Sequence, residues 1–319
     1  MVSLSSGVDP LVHAFLERLN NSGSAPLESL TPAEVRHVFE ELQRSSFSDS
    51  GISQQRQVIT VDGTEVPLYI VTPSHATVPL PVFMFFHGGG WTFGDYPTHL
   101  RLVRDLVVLS GAACVFVEYS RSPEARFPIA IEQAYSATCW VAASGDMLGL
   151  DTSRISVVGN SAGGNMATVV CMMAKARGGP RISSQLLLCP VTDARFDTSS
   201  YRECANGYFL TRSMMEWFWT NYLDSHEQRR LHLVSPLQAT REQLQGLPPA
   251  LIQTAEFDVL RDEGEAYARA LAQAGVEVSC VRYNGLTHDY TSLNPLAKVP
   301  AARTALRQAA SELRYRLSC

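Results

Sequence analysis

Ser161 stands inside the run Gly159-Asn160-Ser161-Ala162-Gly163-Gly164, between two segments of different periodicity. Before it, Arg154-Ile155-Ser156-Val157-Val158 is short, apolar and β-branched, as a buried strand would be. After it, Asn165 to Ala174 reads as a buried helix. A tight strand-to-helix corner pushes a hydroxyl out at the edge of a sheet, where it can attack an electrophilic carbon. Glycines at 159 and 163 remove side chains that would collide across such a corner. The chemistry predicted is nucleophilic attack by Ser161 on an acyl carbon. It needs a base to take the proton and donors to hold the oxygen that becomes negative.

Donors are predicted upstream, where the apolar stretch Pro81-Val82-Phe83-Met84-Phe85-Phe86 runs straight into His87-Gly88-Gly89-Gly90-Trp91. Backbone N–H groups stabilise an oxyanion only at close range, and glycine has no β-carbon to prevent the approach. The N–H of Ala162, the residue after the serine, completes the expected hole. A phosphate loop would require Lys-Ser/Thr after the glycines, and a dinucleotide site would space them differently. His87 belongs to this loop and is expected to hold it by hydrogen bonds, with Gly88 supporting, and not to act as the base.

The acid and base are predicted downstream. Ala250 to Asp258 reads as a buried strand ending in a carboxylate, and Val276 to Tyr283 as the next strand, followed by Asn284-Gly285-Leu286-Thr287-His288-Asp289-Tyr290. Asp258 and His288 thus each follow a strand end on the same edge as Ser161, the edge where sites form in open α/β sheets. Glu256 and Asp289 are the rival acids and rank below Asp258. Asp262 is expected to cap the helix that follows.

These residues need a scaffold that brings strand ends together, and the pattern supplies one. Gln57–Thr60 and Pro67–Thr72 read as an antiparallel pair around Asp62-Gly63. Strands are then expected near 82–86, 113–118, 155–159, 185–189, 251–254 and 276–283, with helices near 98–110, 129–143, 164–176, 263–274 and 301–317. Such alternation predicts a mostly parallel sheet flanked by helices, in one catalytic domain spanning 1–319.

With these motifs in view, the chain resembles the hormone-sensitive-lipase-like carboxylesterases of the α/β-hydrolase superfamily. His87-Gly88-Gly89-Gly90 matches that family's signature, Glu118-Tyr119-Ser120-Arg121-Ser122-Pro123-Glu124 is loosely similar to a second, and Asp258-Val259-Leu260-Arg261-Asp262-Glu263 to a third. The resemblance implies an α/β-hydrolase fold, a Ser161, Asp258, His288 triad and Gly89 and Gly90 as amide donors. One position departs from the pattern: Asn160 stands where the family commonly has aspartate, one negative charge fewer beside the serine.

The resemblance further implies a helical cap built from about residues 1–44 and 193–237. The first segment carries helical spacing at Leu11, Phe15, Leu19, Val35, Val38, Phe39 and Leu42, with a capping-box start at Thr31-Pro32-Ala33-Glu34. The second holds Trp217, Phe218 and Trp219 in succession, where aromatics are 9% of the chain. Most of its aromatics are expected to seal the cap's own core, and a few to line an acyl pocket.

The implied activity is hydrolysis of short, largely apolar acyl esters through an acyl-enzyme. A thioester, carbamate, lactone or acetylated natural product is the alternative substrate. A non-catalytic receptor on the same scaffold is disfavoured, because serine, acid and histidine are all present. A chain of 319 residues, 45% hydrophobic, is long enough for a large core. The formal charge of −5 argues against nucleic acid as partner. A small-molecule ester is the expected partner, and a homodimer is compatible with the chain. The first ten residues show no signal pattern and no apolar run is long enough to span a bilayer, so a cytoplasmic location is expected. Seven scattered cysteines form no ligand or disulfide pattern. Cys114, Cys139, Cys171, Cys189 and Cys280 read as core packing. No metal or cofactor is required by this chemistry.

Overall fold

The computed structural model describes residues 4–44, 50–77 and 79–318; residues 1–3 of the expected cap segment lie outside them. The antiparallel pair is a hairpin of β1 (Ile52–Val61) and β2 (Thr64–Pro73). Its two-residue turn, Asp62-Gly63, is left-handed at both positions, as a tight hairpin requires. Six strands follow: β3 (Leu80–Phe86), β4 (Ala113–Val117), β5 (Leu150–Asn160), β6 (Ile182–Leu188), β7 (Ala250–Phe257) and β8 (Val278–Thr287). They form one eight-stranded sheet in the order β1-β2-β4-β3-β5-β6-β7-β8, parallel from β4 onward. This is the α/β-hydrolase fold that the alternation predicts.

Topology positions the site. From β3 the chain first adds β4 on one side, then returns to add β5 on the other, so β3 and β5 flank the point where the strand order reverses. Crevices form at such a point, beyond the carboxyl ends of the strands. Parallel register pairs Phe86 with Gly159, which sets the His87 loop beside the Ser161 corner.

The central strands are buried on both faces. Val82, Met84 and Phe86 join a core shared with α4 (Ile129–Ser144), α5 (Ala162–Arg177) and α9 (Arg261–Gln273). Phe83 and Phe85 join the opposite core, with α3 (Tyr96–Ser110) and α10 (Pro300–Ser318). Fully burying one such side chain stabilises the fold by about 1.5–3 kcal/mol. Strand β8 lies at the sheet edge and its first half is partly solvated, so Cys280 is exposed, contrary to the core role expected of it.

A second correction concerns α9. Leu260 is its N-cap residue, without a side-chain cap, and Asp262 lies inside the first turn. Asp262 instead accepts the Ser200 N–H and pairs with Arg261. It is Asp258 that accepts the Leu260 N–H, at 2.9 Å.

The N-terminal segment forms α1 (Pro10–Asn20) and α2 (Pro32–Gln43), and the expected Thr31/Glu34 capping box starts α2. Within the insert are α6 (Ser199–Glu203) and α7 (Arg212–Tyr222), and α8 (Arg241–Leu244) follows it. The two segments touch. Asn20 Nδ2 donates to the Gly207 carbonyl at 3.0 Å, the Ser213 hydroxyl donates to Glu28, and the rings of Phe15 and Phe209 lie 6.1 Å apart.

Candidate active site

Ser161 joins β5 to α5 with φ 54° and ψ −120°. A non-glycine residue held there costs on the order of 1–3 kcal/mol, so its surroundings must impose the geometry. They do so by backbone bonds: Ser161 N–H donates to Leu188 O at 2.8 Å, and Ser161 O accepts from Val191 N–H at 3.1 Å. A β-carbon on Gly159 would overlap the Gly163 carbonyl, and one on Gly163 the Phe86 carbonyl. The small residues are therefore fixed by the corner itself.

His288 directly follows β8, and Asp258 directly follows β7. The Nε2 of His288 lies 2.9 Å from Ser161 Oγ, and its Nδ1 lies 2.7 Å from Asp258 Oδ2. All three residues are buried, Ser161 being 5% exposed. Of the rival acids, Glu256 accepts the Gly285 N–H, and Asp289 brings Oδ2 to 3.9 Å from His288 Nε2, on the serine side of the ring. Burial opposes a charge on His288, but the carboxylates of Asp258 and Asp289 outweigh it and hold the imidazole above its ordinary value. The arrangement can pull a proton from the serine hydroxyl and stabilise the imidazolium that results.

The glycine loop lies alongside. Gly89 and Gly90 are left-handed (φ 104° and 57°), and the Gly89 carbonyl accepts from the N–H groups of Thr92 and Phe93. Ala162 is the first residue of α5, so its N–H has no acceptor within the helix. His87 is stacked on Tyr119 with ring centroids 4.1 Å apart, and its Nδ1 lies 2.8 Å from the Gly88 carbonyl. Burial and the neighbouring His99 hold it well below the ordinary imidazole value, so the neutral ring donates from Nδ1. It serves the loop, as expected.

Three side chains make contacts at the site that their sequence positions do not show: Asn160, expected only to remove a charge beside the serine; Cys189, expected as core packing; and Gln43, not singled out. Asn160 Oδ1 accepts the Gly88 N–H, and its Nδ2 donates to Asp289. Gln43 of α2 bonds to Thr98 of α3 and to Ser292 and Asn294, just past His288. Cys189 directly follows β6, with its sulfur, an Asp258 oxygen and a His288 nitrogen within 4.8 Å of one another, the spacing of a three-ligand metal site among the described residues. Burial pushes the Cys189 thiol well up, so it stays protonated, while Asp258 and His288 are bonded to each other. His288 and Asp258 are instead engaged with Ser161 in one hydrogen-bonded line.

The fold and this site define a serine hydrolase of the α/β-hydrolase class. Residues 83–292 match the family described as the alpha/beta hydrolase fold. Carboxylesterase NlhH of Mycobacterium tuberculosis is 36% identical over 82% of either chain. The ethyl acetate hydrolase of Pseudomonas putida is 31% identical, covering 91% of this chain and 93% of its own. The solved structure of a thermostable esterase from Pseudomonas putida superposes with a TM-score of 0.97 at 55% identity, covering 99% of each chain. The chain belongs to the hormone-sensitive-lipase-like carboxylesterase family, and it is a carboxylic ester hydrolase. No helix among the described residues is long and apolar enough to cross a membrane.

Proposed function

We propose that the chain hydrolyses short, largely apolar acyl esters, with Ser161 as nucleophile, His288 as base and Asp258 as the orienting acid. The observation that carries this is the hydrogen-bonded line Ser161 Oγ to His288 Nε2 at 2.9 Å and His288 Nδ1 to Asp258 Oδ2 at 2.7 Å. His288 takes the Ser161 proton as the oxygen attacks the acyl carbon, while Asp258 fixes the tautomer. The N–H groups of Gly89, Gly90 and Ala162 hold the oxyanion, each donor worth about 3–4 kcal/mol in comparable sites. His288 then protonates the leaving alcohol, and water activated by the same ring releases the acid.

Residues 1–44 and 193–237 act in this reading as a cap that limits acyl length. Its support is the packing of α7 onto the glycine loop: Trp91 stacks on Tyr222 at 4.1 Å, and Phe93 meets Phe218 at 5.5 Å. The activity named for the Pseudomonas putida relative, on ethyl acetate, points the same way. Cytoplasmic residence and self-association belong to the same proposal, to be tested by fractionation and sedimentation.

The test is a panel of esters, thioesters, carbamates and lactones of graded acyl length, with an organophosphonate probe on the intact protein. Turnover highest for acetyl to butyryl esters, with the adduct on the Ser161 peptide, is expected. An adduct elsewhere, or a preference for long acyl chains, overturns the corresponding part.

A further inference from the structure

Asn160 immediately precedes the serine, yet its side chain serves two other loops. Its Oδ1 accepts the Gly88 N–H at 2.9 Å, and its Nδ2 donates to Asp289 Oδ1 at 3.0 Å. The partners fix the amide's orientation, since a backbone N–H can only donate and a carboxylate here accepts. The residue is fully buried, so both bonds form away from water. Room is kept for them: a β-carbon on Gly88 would come within 2.5 Å of Asn160 Nδ2. Asp289 itself sits at φ 56°, a left-handed position that Asn160 helps to hold.

We propose that Asn160 and Asp289 are a positioning pair that ties the oxyanion loop to the loop carrying the base, and that an amide is required at 160 because a carboxylate stands opposite. The proposal rests on Ser161 and His288 being the reacting groups. An aspartate at 160 could still accept the Gly88 N–H, but its second oxygen would face Asp289 at about hydrogen-bond distance. Two buried carboxylates so placed cannot both ionise without strong repulsion. Around Asp289 stand His288 and Tyr290 on its own loop, His99 of α3 and Cys189 directly after β6. Asp258 lies across the His288 ring, and Asp95 and Arg101 act on His99. In Asn160→Asp the two carboxyls would share a proton at low pH; as pH rises that proton leaves and repulsion drives the two loops apart.

The experiment compares Asn160→Asp, Asp289→Asn and the exchanged double variant on 4-nitrophenyl acetate, with kcat and KM across pH and a melting curve for each. Asn160→Asp should lose about tenfold or more in kcat at alkaline pH with KM little changed, because transition-state donors move and not the substrate pocket. The loss should deepen as pH rises. The double variant restores one amide facing one carboxylate and should recover to within about threefold of the parent, far above the product of the singles. A parental profile for Asn160→Asp, or a double variant no better than that product, overturns the proposal. If Asn160→Asp does not fold, the double variant decides: folded and active supports the pair, inactive refutes it. Organophosphonate labelling of the unaltered protein tests the underlying reading separately. Ser161 left unlabelled breaks that reading, whereas labelled Ser161 with an unrescued double variant breaks only the pair.

Discussion

The ring of Phe218, on α7, fills the space that a β-carbon on Gly90 would need. The insert and the glycine loop are thus fitted to each other, and Gly90 is further bound to glycine by φ 57°. Gly90→Ala meets both obstacles. Left-handed backbone costs a non-glycine residue about 1–2 kcal/mol, and the ring must also move. Turnover should fall by roughly two orders of magnitude, in the range of one lost oxyanion donor. Adding Phe218→Ala removes the clash, so part of the melting temperature should return while kcat stays low. Full activity in Gly90→Ala would remove this glycine from the oxyanion hole.

Ser161, His288 and Asp258 should fail as a unit. Ser161→Ala and His288→Ala are each expected to abolish nearly all turnover, and their combination to cost little more. Among the carboxylates, Asp258→Asn should be the most damaging, by up to about 10⁴ in kcat, because the wrong tautomer is then favoured. Glu256→Gln and Asp289→Asn should fall far short of that. A larger loss from either would reassign the acid.

The sheet, the order of its helices and these three residues were legible because each leaves a local mark. A β-branched run ends in a small-residue corner at Ser161, and Asp258 and His288 each come directly after a strand, in the chain order acid then histidine. What stayed hidden connects distant segments through one side chain. Asn160 reaches Asp289 across 129 positions and Gln43 reaches Ser292 across 249, with no periodicity to betray either. Asp262 misled for a related reason: N-cap preference is a local rule, and the Ser200 N–H and Arg261 claimed its carboxylate. Cys280 misled because an apolar run does not tell an edge strand from a central one.

The pH profile should carry the mark of His288. Its imidazole lies above the ordinary 6.5, because Asp258 and Asp289 outweigh burial. The base must be neutral to act, so kcat/KM should rise with pH through a midpoint above 6.5. Asp289→Asn, which removes one of the two carboxylates, should move that midpoint down. For stability the sign is opposite: a raised imidazole contributes fully below its unfolded value and loses that contribution as pH climbs through the folded one. An acid limb at or below 6.5 in the parent would contradict this electrostatic account.

Glu118 directly follows β4, is partly buried and accepts the Tyr96 N–H at 3.0 Å. Burial is the main cause that raises its carboxyl from 4.5 to about 7. A raised carboxyl favours the protonated fold, so stability should drop as pH climbs from 4.5 through about 7. Glu118→Gln keeps an acceptor for Tyr96 and carries no charge. It should stabilise the protein at pH above 7, by up to about 3 kcal/mol, and make little difference in acid. Melting curves at both ends decide, and equal shifts at the two would show that charge is not the cause.

Gln43 is the side chain through which the N-terminal segment holds the base loop. Its amide donates to the carbonyls of Thr98 at 2.8 Å and Ser292 at 2.9 Å, and accepts the Asn294 N–H at 2.9 Å. Gln43 and Ser292 are buried and Asn294 is partly buried, so Gln43→Ala leaves the Ser292 carbonyl and the Asn294 N–H without this partner, at about 1–3 kcal/mol for a buried group left unsatisfied, while the Thr98 carbonyl keeps its place inside α3. The melting temperature should fall accordingly. Because Ser292 and Asn294 follow His288 so closely, kcat should fall with it while KM for a short ester holds. Gln43→Glu is the sharper comparison, since it keeps the acceptor but turns the donor into an oxygen facing two carbonyls. Its defect should exceed that of alanine and grow with pH as the carboxyl ionises. If both variants melt within about 0.5 kcal/mol of the parent, as ordinary surface changes do, α2 is not the anchor of this loop.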